Sequence, residues 1–199
     1  MSVMSPQRFS DAQMARLLTV AEQAIRDYFD DGIAKPHQLI NNDFALSAKG
    51  ACFVTLKVAG KLQGCLGSLD AHQPLALEVY DKAFSSTHLD RRFSPLPESH
   101  LFALTIEVSV LSPSIDFEVE NESALLDHLT QHKLGVILED QQRRAVFLPQ
   151  VWQQLPKPAD FIAHLKTKGG WEADYWSSTM KVSLFGVQSA EKPYSKISS

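Results

Sequence analysis

Ala51-Cys52-Phe53-Val54-Thr55-Leu56-Lys57-Val58-Ala59-Gly60-Lys61-Leu62-Gln63-Gly64-Cys65-Leu66-Gly67-Ser68-Leu69 is the stretch that decides the fold. Ala51 to Val58 is rich in β-branched and aromatic residues, Ala59-Gly60-Lys61 is a turn signal, and Leu62 to Leu69 returns as a second strand. Strands joined by so short a turn pair antiparallel. Cys65 lies in the return strand, with Gly64 before it and Gly67 beyond it. Glycine inside a strand marks a bulge or a place where something approaches the backbone closely. A two-residue turn at Ala59-Gly60 sets Cys65 opposite Val54, on the face of Cys52. A three-residue turn sets it opposite Thr55, on the other face. The sequence leaves both registers open.

Outward from the hairpin, Ser10-Asp11-Ala12-Gln13 reads as a capping box. Met14, Leu17, Leu18, Ala21, Ile25, Tyr28 and Phe29 then recur at helical spacing, and Gly32 stops the helix. Residues 35–49, with Pro36, Asn41-Asn42 and Asp43, read as a loop. Pro74 opens a second helix with Ala76, Val79, Tyr80, Ala83 and Phe84 on one face. Asp90 to Pro97 is a proline-held loop. Leu101 to Leu111 alternates as a half-buried strand, with Phe102 on its apolar face and Glu107 on its polar face. Further on come a helix at Glu122–Gln131, a hairpin around Asp140-Gln141-Gln142, short helices at 149–155 and 159–168, and a final strand at 179–187. Trp152, Trp171 and Trp176 are expected to anchor the core there. The fold class is α+β, mostly antiparallel hairpins with packed helices, two-lobed. Residues 1–199 form a single domain or two α+β lobes with a cleft between them, and 1–9 and 191–199 are expected as loose tails.

Composition bounds the function. The 199 residues are 44% hydrophobic and 21% charged, ordinary for a globular protein, and a net charge of −4 with no Lys/Arg run points away from nucleic acid. No signal-like apolar segment opens the chain and no membrane-length run occurs, so a soluble, cytoplasmic protein with no membrane partner is expected. Cys52 and Cys65 lack zinc spacing and cannot supply the three thiolates of a radical-enzyme cluster. His128 and His132 are four apart, but no Glu follows His128, and the pair reads as exposed or helix-end histidines. Neither G-x-G-x-x-G nor a P-loop is present. No cofactor and no metal are expected.

Five elements in order carry a resemblance. They are Leu62-Gln63-Gly64-Cys65-Leu66-Gly67; Asp90, Arg92, Phe93 and Pro95; Glu107-Val108-Ser109-Val110-Leu111; Phe147-Leu148-Pro149 with Val151; and Lys168-Gly169-Gly170. The chain resembles the AMMECR family, also labelled the A component of the AmmeMemoRadiSam system, from about Phe53 to Ala190. Two departures stand out. Gln63 occupies the place of a family arginine, and His132-Lys133-Leu134-Gly135-Val136 keeps only the second glycine of Gly-x-x-Gly-Ile. A glutamine cannot reproduce bidentate anion binding.

The resemblance implies a two-lobed α+β fold and a setting beside a Memo-type protein and a radical SAM protein, with no established reaction. Cys65 is the candidate catalytic residue, and Gly64, Gly67, Asp90, Arg92 and Glu107 are the candidate binding residues. One reading is an accessory or substrate-binding component taking a small-molecule ligand or a partner segment. The other is a thiol-dependent enzyme with Cys65 as nucleophile, tuned by Arg92 or by a histidine such as His72 or His88. Against both stands a plain packing role: Cys65 as a small buried apolar residue, and Asp90 and Arg92 holding their loop. The glycines divide the same way. Gly64 is expected to admit the protein's own helix, and Gly67 a ligand or partner.

Overall fold

The computed structural model describes residues 9–35 and 44–195; the loop signals at Pro36, Asn41-Asn42 and Asp43 and the tail residues 1–8 and 196–199 lie outside them. The elements are α1 (Asp11–Asp30), α2 (Phe44–Ser47), β1 (Ala51–Val58), β2 (Lys61–Gly67), α3 (Leu75–Ser86), β3 (Leu104–Leu111), β4 (Ile115–Asp116), α4 (Glu122–Gln131), β5 (Gly135–Asp140), β6 (Arg143–Phe147), α5 (Pro158–Lys168), β7 (Lys181–Phe185) and β8 (Val187–Pro193). They build two antiparallel sheets, β2-β1-β3-β8 and β4-β7-β5-β6, with helices, so the fold is α+β. The described residues form two compact units: Ser112–Val187, and the flanking residues 9–111 with 188–195.

In the flanking unit, α1 starts where Ser10 and Gln13 complete the capping box and stops short of Gly32, whose φ is +70°. Helices α1 and α3 pack on each other and on one face of the sheet. Alternation along the strands directs Cys52, Val54 and Leu56 of β1 and Leu104, Ile106, Val108 and Val110 of β3 into a core shared with Leu17, Ala21, Ile25, Val79, Tyr80 and Ala83. Buried Asp27 is satisfied by Tyr80 Oη at 2.6 Å and Gln23 Nε2 at 2.8 Å. The strand expected from Leu101 begins at Leu104. A 3-10 turn over Glu98–Ala103 takes Phe102 out of the alternation and leaves it 91% exposed.

Two expectations at the C-terminal end are corrected. The single strand at 179–187 divides at Gly186, whose N–H donates to Ser112 Oγ, so that β7 and β8 belong to different sheets. Residues 191–193, expected as tail, complete β8. The reason is Glu22, 5% exposed on α1, which accepts from Lys192 Nζ and from the Ser195 N–H and so fixes the segment.

In the Ser112–Val187 unit, Trp152 stacks on Phe161 at 3.7 Å and donates its indole N–H to Leu134 O, and Trp171 is 5% exposed in the same core; Trp176 packs at its edge. Lys166 of α5 is fully buried and donates to both carboxylate oxygens of Glu122 at 2.9 Å, joining α5 to α4. Asp140, at the end of β5, accepts from Tyr175 Oη, Ser177 Oγ and Thr179 Oγ1 at 2.6–2.8 Å. These hydroxyls, Ser177 first, hold its pKa down to about 2.

Candidate functional site

The hairpin turn has two residues, Ala59 at φ +48° and Gly60 at φ +77°, yet Cys65 does not stand opposite Val54. The register runs Val58↔Lys61 and Lys57↔Leu62, then shifts to Leu56↔Gly64 and Thr55↔Cys65. Gln63 is the extra residue of a β-bulge, and it moves every later side chain of β2 to the other face. Cys65 therefore projects away from the helices, while Cys52 is buried beneath them, where burial pushes its thiol pKa up.

Contacts from the segment after β2 surround the bulge. Gln63 Nε2 donates to Ser94 O at 2.9 Å. Gly64 lies against the last turn of α3, and a β-carbon there would stand 2.3 Å from Ser86 O. Ser86 Oγ accepts from Leu66 N and donates to Val54 O, both at 3.1 Å, so a hydroxyl bridges the two strands.

Because β2 is an edge strand, the outward backbone groups of Cys65 need partners. Asp90 and Arg92 supply them. Asp90 Oδ2 accepts from Cys65 N at 2.9 Å, Arg92 Nη2 donates to Cys65 O at 3.2 Å, and the two side chains pair at 2.7 and 2.9 Å. The Arg92 guanidinium first, and then the Cys65 and Arg92 N–H groups, hold the Asp90 carboxyl well below the usual carboxylate range. Asp90 is 6% exposed, whereas the Arg92 side chain is 60% exposed. The loop motif thus clamps the backbone of a residue whose side chain turns out onto the open face.

On that face Cys65, Thr55 and Glu107 are register partners in a row across β2, β1 and β3. Thr55 Oγ1 donates to Cys65 Sγ at 3.3 Å. Glu107 accepts from Lys57 Nζ at 2.6 Å, and the same ammonium reaches Glu191 of β8 at 3.1 Å. Glu107 first and Glu191 second raise the Lys57 pKa, holding it charged. Ser109 and Ser189 share a hydrogen bond of 2.8 Å. A half-exposed thiol, hydroxyls, and one cation between two carboxylates therefore line one sheet face.

The structure brings Cys65, Gly64, Asp90 and Arg92 together directly, and Glu107 through Thr55. Gly67 differs from expectation. The space its β-carbon would take is filled by the Phe53 ring at 2.3 Å and by Cys52 O at 2.5 Å, so the chain itself makes the close approach. Of the candidate bases, His88 stacks on Tyr28 and bonds Thr87 Oγ1, and His72 is exposed. Thr55, Lys57, Ser86, Ser109 and Ser189 join the site without having been singled out. Thr55 and Lys57 follow from alternation once the register is known; Ser86 carried no local signal. Among the described residues, no group of three His, Cys, Asp or Glu side chains is placed to hold a metal ion.

An edge-strand cysteine whose backbone is clamped by an Asp-x-Arg loop on a four-stranded sheet, within an α+β chain of two units, marks the class. The AMMECR1 family model matches residues 18–190, and the chain belongs to that family. It is 31% identical over 170 residues to Protein MK0488 of Methanopyrus kandleri, covering 81% of this chain and 79% of that one. It is 27% identical over 185 residues to Protein Mbar_A1807 of Methanosarcina barkeri, covering 90% of each. The crystal structure of the uncharacterized protein PH0010 from Pyrococcus horikoshii superposes with a TM-score of 0.79 at 27% identity, covering 94% of both chains.

Proposed function

We propose that the chain is a substrate-binding accessory component acting beside a Memo-type protein and a radical SAM enzyme, with the sheet face of Cys65, Thr55 and Glu107 as its binding surface. The observation that supports this reading is the division of labour at Cys65. Its N–H and C=O are clamped from the strand edge by Asp90 and Arg92, while its thiol turns onto a polar face. Holding one residue so firmly presents its side chain in a fixed place, which is what recognition of a small molecule or an extended segment requires.

The purified chain alone is expected to show no strong turnover on ester, peptide or phosphate substrates. The test is co-purification with the Memo-type and radical SAM proteins of the same source, using the wild-type chain and one alkylated at Cys65. Association that alkylation abolishes supports the reading. No association, with or without added substrate, removes it.

One observation favours a second reading, a thiol-dependent enzyme with Cys65 as nucleophile. Thr55 Oγ1 donates a hydrogen bond to the sulfur, which orients the thiol on the sheet face. Turnover by the isolated chain that Cys65→Ser abolishes would establish this reading instead.

A further inference from the structure

In the Ser112–Val187 unit, the C-terminal end of α4 places two imidazoles against each other. His128, in the last turn of α4, and His132, the extended cap residue just beyond it, have ring centroids 4.7 Å apart and planes tilted by 38°. The Phe117 ring, 4.4 Å from His128, packs against that side chain and restricts it. The His132 N–H donates to His128 O at 3.0 Å, which keeps the turn closed beneath the rings. Neither ring has a hydrogen-bond partner among the described residues, although His128 is partly buried and His164 and His88 are each engaged through Nδ1.

We propose that His128 and His132 form a two-histidine chelate for a divalent transition ion of the nickel or copper kind. Neutral imidazole is a good donor to such ions, and two donors held side by side bind one ion together. With metal–nitrogen bonds of about 2.0–2.1 Å and the ring centre about 1.1 Å further out, each ring centre stands about 3.2 Å from the ion. An ion on which one nitrogen of each ring converged would meet these two arms, ending 4.7 Å apart, at an angle of about 95°. That is close to the right angle between neighbouring ligands in square-planar and octahedral sites, and narrower than a tetrahedral zinc site prefers. The remaining positions are open to water or to a donor from another molecule.

The test is titration of the full chain with copper(II) chloride at neutral pH, followed by calorimetry and by electron paramagnetic resonance. One ion per chain, bound in the micromolar range with a two-nitrogen hyperfine pattern, is expected. His132→Ala removes one of the two tethered donors at an exposed position and is expected to weaken binding at least about tenfold, as loss of a second attachment point does. His128→Gln is expected to match it, and His164→Ala to leave binding unchanged. A thermal melt of each variant without metal separates loss of the ion from loss of the fold. Equal copper affinity in wild type and His132→Ala would assign the ion to other histidines and overturn the proposal. Absence of stoichiometric binding in the folded wild type would overturn it equally.

Discussion

Gly64→Ala tests whether α3 seats the bulged strand. A β-carbon at this position would lie 2.3 Å from the Ser86 carbonyl oxygen and 3.3 Å from its carbonyl carbon. Both are backbone atoms at the end of a helix packed in the core, so no side-chain rotation relieves the clash. The last turn of α3 must withdraw, at an overpacking cost of about 1–3 kcal/mol. Withdrawal also lifts Ser86 Oγ away from Leu66 N and Val54 O, each now at 3.1 Å. Two such hydrogen bonds are worth about 1–3 kcal/mol together. At the middle of the summed range, about 4 kcal/mol, the thermal midpoint of a chain this long falls by about 8–16 °C. Differential scanning calorimetry reads it, with Gly60→Ala as control. Gly60 has φ +77° and nothing within 4 Å of a β-carbon, so its variant meets only backbone strain of about 1–2 kcal/mol. A Gly64→Ala protein that melts like wild type, or no worse than Gly60→Ala, would refute the reasoning.

Other outcomes follow from the buried polar groups. Asp140 has its folded pKa depressed from 3.8 to about 2, so its contribution to stability is complete above about pH 4 and is lost as pH falls towards 2. Urea midpoints followed by tryptophan fluorescence should drop over that window, and Asp140→Asn should flatten the drop. Asp90→Asn exchanges a charged acceptor for a neutral one at the Cys65 N–H and at Arg92, and is expected to cost about 1–3 kcal/mol in denaturant unfolding and to speed amide exchange at Cys65. Glu122→Gln leaves the buried Lys166 ammonium uncompensated and should cost about 3–5 kcal/mol. Lys166→Met keeps the apolar stem and frees a carboxylate that is partly exposed, so it should cost less; the reverse order in urea unfolding would contradict the account.

Local chemistry made much of the fold legible. The Ser10 cap, the helical spacing to Phe29, the β-branched run of β1 and the Ala59-Gly60 turn are written in neighbouring residues, and the elements form there. The candidate site could be named residue by residue, but its arrangement could not. Cys65, Asp90 and Arg92 could be named from the sequence, but the face of Cys65 depends on one unpaired residue, Gln63. The contacts around that bulge come from Ser86, Asp90 and Ser94, which are 20–31 residues away from their partners in β2. No pattern within the hairpin encodes them. At Gly67 a glycine announces a close approach without naming what approaches, and in the structure Phe53 lies directly across the pair. Phe102 kept a strand's alternation while lying in a 3-10 turn. The hold of Glu22 on Lys192 and Ser195 joins distant parts of the chain and leaves no local trace.

The central claim is that the bulge at Gln63 turns the Cys65 thiol onto the open polar face while Cys52 stays in the core. Mass spectrometry of the folded protein after brief treatment with iodoacetamide tests it most directly, because one reagent reads both sulfurs at once. The account predicts a single label per chain, on Cys65, with Cys52 modified only after denaturation. A folded protein in which Cys65 resists labelling as Cys52 does, or in which both sulfurs react together, would contradict it.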